Sequence, residues 1–191
     1  MTVHFFGESH RTFFGHVHIV NGGKLAVIAE LISLIVETYI FSTFIGFVDA
    51  FGVAQISWSL FSCASCCVGF CRQKYHFFWP LIILKIVEVV TCLAWITFVF
   101  CAMFLGKMGL SALKFIILWK FIRVEATHLI SFVLFFFVTT VIFLFTHVAI
   151  LDVIFRVQRY YRYRAMAIYQ AERQEIMRNF LPDNNVVMNG F

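Results

Sequence analysis

The chain has 191 residues, of which 62% are hydrophobic and 13% charged, with 26 phenylalanines, two prolines and a net charge of +5. One small soluble core cannot bury that much apolar surface, so a water-soluble domain is excluded and a membrane protein is expected. The positive charge is concentrated towards the C-terminal side and suits anionic lipid headgroups, whereas no helix-turn-helix, RNP-like or zinc-finger pattern points to nucleic acid.

Residues 1–24 hold polar breaks and no long apolar run, so no cleavable signal peptide is expected there. The near-repeat "FFGESH" and "FFGHVH" lies in this segment, and Phe5, Phe6, Phe13 and Phe14 suit an interfacial anchor. Its histidines match no standard metal-site spacing and lack a completing cysteine or acidic cluster, so no metal or other cofactor is expected. Gly22 and Gly23 are expected to break the helix ahead of the membrane.

Four apolar stretches follow at about residues 25–47, 51–71, 77–105 and 128–155, each long enough for the ~20 residues of helix that a bilayer requires. Lipid offers the backbone no hydrogen-bond partners and period-two alternation is missing, so the spans are helices. The links at 46–51 and 72–76 are too short for anything but antiparallel neighbours. The fold class is therefore all-α, a four-helix antiparallel transmembrane bundle over 25–155. A basic juxtamembrane helix is expected in the tail, 156–191.

Lys and Arg near the span ends set the orientation. Arg11, Lys24, Arg72, Lys74, Arg156, Arg159, Arg162 and Arg164 fall on one side, against Lys107, Lys114, Lys120 and Arg123 on the other. Both termini are thus expected in the cytosol. Residues 107–128 are basic and amphipathic, and either lie in the interface or extend the fourth helix.

Charged side chains inside the spans carry the main functional signal, because each costs about 2.5–3.5 kcal/mol at mid-bilayer unless it faces the interior and pairs. Counting from the cytosolic ends, Glu30 lies about 9 Å deep and Lys85 about 12 Å, while Glu37 and Glu88 lie at roughly 19 and 16 Å. Glu30 and Glu37 share one helix face, Lys85 and Glu88 another. The first and third helices are therefore expected to face each other, with Lys85 between Glu30 and Glu88. His147 and Asp152 of the fourth span complete a polar seam. Three glutamates against one lysine do not balance, so Glu37 or Glu88 is expected to hold a proton. The seam serves either as interhelical glue or as a ligand or proton site.

At the end of the second span, Cys66, Cys67 and Cys71 of "SCASCCVGFC" are either acylation candidates or small packing residues. In the tail, Tyr163 to Met166, "YRAM", fits a short tyrosine-based sorting pattern. The chain carries no GxSxG, HExxH or phosphate-binding glycine loop, so a non-enzymatic role is expected.

The seam also carries a resemblance. Pro80, followed at +5 by Lys85 and at +8 by Glu88, is similar to the Leu-Ile-Pro entry into the third helix of the lysosome-associated transmembrane protein family. "HIVNGG", His18 to Gly23, resembles the family's entry into its first helix, and "RYYRYR" its tyrosine-rich exit from the fourth. The resemblance implies a four-span protein of endosomes and lysosomes, of a divergent, nematode-type branch. The family's early cysteine cluster and its Pro-Pro-x-Tyr motifs are missing, so recruitment of ubiquitin ligases is not implied. The expectation is a membrane adaptor or regulator that binds lipids or other membrane proteins and is able to self-associate. The rival is a small proton-coupled carrier with Glu37, Glu88 and His147 along its route.

Overall fold

The structure, a computed structural model, describes residues 11–12, 17–45, 50–120 and 129–180. Two short strands, β1 (Arg11–Thr12) and β2 (Val17–His18), pair antiparallel and lead into helices α1 (Ile19–Ile45) and α2 (Ala50–Arg72). A 3₁₀ turn, Tyr75–Phe78, opens α3 (Trp79–Phe104), and α4 (Gly106–Lys120) and α5 (Leu129–Phe180) complete the chain. Stretches long and apolar enough to cross a membrane fall in α1, α2, the 3₁₀ turn with α3, and α5. The protein is an all-α, four-helix, multi-pass membrane bundle. Large apolar side chains such as Ile35, Val90 and Phe145 are exposed on its outer surface, as a lipid solvent requires.

The helices form a ring in which α1 packs on α2 and α5, and α3 likewise packs on α2 and α5. The first and third helices, expected to face each other, are thus diagonal across the bundle. Lys85 of α3 and Glu30 of α1 meet through their side chains.

The ring is closed at one end by aromatic packing. Phe78 is fully buried, stacks on Tyr161 at 5.6 Å between ring centroids and meets Phe70 edge-on at 5.0 Å. Around it Ile19, Leu81, Ile154 and Val157 join the start of α1, the start of α3 and α5 in one apolar cluster. At the opposite end Val99, Ala102 and Leu113 pack with Trp95, Val133 and Phe136.

Several boundaries differ from the sequence expectation, each for a local reason. Gly22 and Gly23 do not break the helix; they lie inside α1. A Cβ on Gly23 would sit 2.7 Å from Val157 Cγ2 and 2.9 Å from Phe70 Cζ, so the missing side chain is what lets α1 approach α2 and α5. The basic tail is not a separate helix. α5 continues to Phe180 without a glycine or proline to stop it, and at 52 residues is about 78 Å long. Residues 106–120 do not extend the fourth span: Gly106, at φ 59°, turns the chain, and α4 folds back until Leu113 lies with Val99 and Ala102. The aromatic anchor Phe5, Phe6, Phe13 and Phe14, Arg123 and the residues beyond 180 lie outside the described residues.

Candidate functional site: a buried charge seam

Three helices supply the seam, and each supplies it through helical periodicity. On α1, Glu30, Ser33 and Glu37 recur at intervals of three and four and are all buried. On α3, Lys85 and Glu88 share a face one turn apart; on α5, His147 points inward. Along α3 and α5 these residues lie between the two apolar clusters.

Lys85 is the hub. Its side chain is fully buried, and its ammonium pairs with Glu30 across the diagonal and with Glu88 on its own helix. The long aliphatic stem lets one cation span a distance that the two backbones do not close. Lys85 Nζ also lies 3.2 Å from His147 Nδ1. An ammonium can only donate, so Nδ1 accepts and the imidazole carries its proton on Nε2. That Nε2 lies 3.5 Å from Glu37 Oε1, and Nδ1 lies 3.3 Å from Glu88 Oε2. Ser33 Oγ donates to the same Glu37 oxygen at 2.9 Å. The result is one cluster, with Glu30, Glu88 and His147 around Lys85 and the hydrogen-bonded Ser33 and Glu37 at 3.5 Å from the far side of the imidazole. It fixes the relative positions of α1, α3 and α5, because an unpaired buried charge in lipid surroundings is costly.

The structure thus brings Glu30, Glu37, Lys85, Glu88 and His147 together and leaves Asp152 out. Five residues beyond His147, Asp152 is rotated about 140° around the helix by the 3.6-residue repeat. It is exposed and forms an i,i+4 pair with Arg156 at 2.9 Å. Replacing Asp152 with Asn is therefore expected to change stability by less than about 0.5 kcal/mol, the scale of an exposed helix pair, as read by thermal unfolding in detergent.

Glu30, Glu88 and His147 each offer one ligand atom, all within 4.8 Å of one another, a spacing that could hold a metal ion. The Lys85 ammonium, however, already contacts both carboxylates and neighbours the imidazole. The protein's own cation stands where a metal would.

Two other sequence candidates divide. Cys66 is fully buried in the apolar cluster, so it is corrected from acylation candidate to packing residue; Cys67 and Cys71 are exposed. Tyr163 and Met166 are both exposed but helical, whereas sorting adaptors take the tyrosine pattern in extended form. His18 accepts from the Val20 N–H at 3.3 Å through Nδ1 and packs edge-on against Tyr160.

The sequence reading did not single out Ser33, Ser59, Ser62 or Cys63. The last three, with Cys66 and Gly69, form the buried stripe of α2 at intervals of three and four. That period of small residues was visible, and it marks a close helix contact in membranes.

No protein-family model, curated protein or solved structure matches the chain.

Proposed function

We propose that the protein is a non-enzymatic adaptor or regulator of endolysosomal membranes. Its bundle is held in one arrangement by the charge seam. Both termini lie in the cytosol, and α5 carries its basic extension to anionic headgroups and to other membrane proteins. The observation that most supports this reading is that the seam is buried: Lys85, Glu30, His147, Glu37 and Glu88 are 0, 1, 3, 8 and 9% exposed. A carrier needs its ionisable groups to line a route that water reaches, and among the described residues apolar clusters lie beyond the seam in both directions along α3 and α5.

The basic surface supports the lipid half of the reading. Arg159 and Arg162 are exposed beside Tyr161 of the aromatic closure, where each adds about 1 kcal/mol of attraction to an anionic surface. Placement in endosomes and lysosomes rests on the spacing of Pro80, Lys85 and Glu88 and on the Arg159 to Arg164 exit.

The test is reconstitution of the full chain into vesicles that enclose a pH-sensitive dye. Under an imposed pH gradient, proton flux is expected to equal that of protein-free vesicles. Flux above that level, lost on Glu88→Gln, would overturn the adaptor in favour of the proton-coupled carrier.

A further inference from the structure

The end of the bundle that carries the basic residues holds a feature the adaptor reading does not use. Of the six cysteines, Cys63 and Cys66 are buried and Cys92 is partly covered, whereas Cys67, Cys71 and Cys101 are exposed. Cys67 and Cys71 are one turn apart on α2, about 6 Å along its axis, and share one outward face. Val68 and Leu60, also exposed on the outer side of α2, give that surface a lipid-facing character. Cys101 lies at the other end of the bundle, one turn before the Gly106 corner.

Position and charge separate the pair from Cys101. α2 ends at Arg72, immediately after Cys71, and Lys74 follows in the turn; both side chains are exposed. The starts of α1 and α3 meet residues 154–161 of α5 at this same end, which places exposed Lys24, Arg156 and Arg159 around it. A thiol at the rim of the hydrocarbon layer, beside a cationic surface, suits reaction with a long-chain acyl thioester. The donor's acyl chain partitions into lipid, and the phosphates of its coenzyme A carrier are anionic.

We infer that Cys67 and Cys71 are S-acylation sites, modified by transfer of a fatty acyl group from an acyl-coenzyme A thioester. The cysteine sulfur attacks the thioester carbonyl and a new S–C bond forms. The coenzyme A thiolate leaves and takes up the proton that the cysteine gives up, so no oxidant or reductant is needed. Each attached chain lies along the outward face of α2, in lipid, without disturbing the buried stripe of Ser59, Ser62, Cys63 and Cys66. The inference rests on the reading that the basic end is cytosolic, where acyl-coenzyme A is available.

The experiment is hydroxylamine-dependent acyl exchange with a mass tag on the full chain isolated from native membranes. One or two tags are expected, unchanged in Cys66→Ser and Cys101→Ser, and lost in the double variant Cys67→Ser with Cys71→Ser. Both replaced thiols are exposed, so the double variant is expected to unfold at the wild-type temperature, and that measurement separates loss of acylation from loss of fold. No tag on the wild-type chain, or a tag that survives the double substitution, overturns the inference. A tag on Cys101 alone overturns it and inverts the membrane orientation. Failure of acylation with vesicle flux still at background would leave the adaptor reading standing.

Discussion

Replacing Lys85 with Met is expected to cost about 3–5 kcal/mol of stability, the scale for removing one partner of a buried ion pair. The cost comes less from the attraction lost than from what remains: Glu30 and Glu88 keep buried carboxylates that have lost their cation, and His147 Nδ1 loses its donor. Replacing Lys114, which is exposed on α4, with Met removes the same charge and serves as the control, because it pairs with no buried carboxylate among the described residues. Thermal unfolding in detergent should separate the two variants clearly. A triple variant, Lys85→Met with Glu30→Gln and Glu88→Gln, should recover much of the loss, since the stranded charges are gone.

The second large effect is expected at Gly109. An added Cβ would lie 2.1 Å from the carbonyl oxygen of Ala102, a backbone atom that cannot swing aside. Gly109→Ala must therefore push α4 off α3, with an overpacking cost of about 1–3 kcal/mol. Leu113, 2% exposed, should then become accessible. Maleimide labelling of a Leu113→Cys reporter, in a chain whose exposed cysteines Cys67, Cys71 and Cys101 are changed to Ser, reads this directly. The labelling rate should rise several-fold in the Gly109→Ala background, and an unchanged rate would show that the corner tolerates the methyl group.

The parts of the fold that were legible in the sequence are those in which one large energy term dominates. Lipid forces long apolar helices, so the spans were readable from composition, and the cost of a buried charge made equal depth a usable guide to pairing. Glu30, Lys85 and Glu88 meet for that reason. What depth cannot supply is lateral arrangement: it matched Lys85 to Glu30 but did not reveal that α1 and α3 are diagonal, with a long side chain bridging the centre. Asp152 was misplaced because depth was weighed without phase; the 140° rotation from His147 turns it outward, to Arg156. Gly23 was read as a breaker because glycine's weak helix propensity is a local fact, while its close approach to Val157 and Phe70 is a tertiary one. The cysteines were legible as a cluster, but only the packing of α2 separates buried Cys66 from exposed Cys67 and Cys71. The continuity of α5 follows from an absence that was in plain view, since no glycine or proline interrupts Leu129–Phe180.

The seam links these results. It joins α1, α3 and α5, and its burial is what supports the proposed adaptor over a carrier. It also leaves the outer surface of α2 and the free length of α5 as the parts open to lipids and partners.

The most direct measurement of this account is a double-mutant cycle between Lys85→Met and Glu30→Gln, read by equilibrium unfolding in detergent. Coupling is expected: the double variant should be more stable than the sum of the two single losses implies, because Lys85→Met alone strands both Glu30 and Glu88, whereas in the double variant only Glu88 keeps a carboxylate without its cation. Additive losses would mean that the ammonium of α3 and the carboxylate of α1 do not meet inside the bundle, and the seam would not exist.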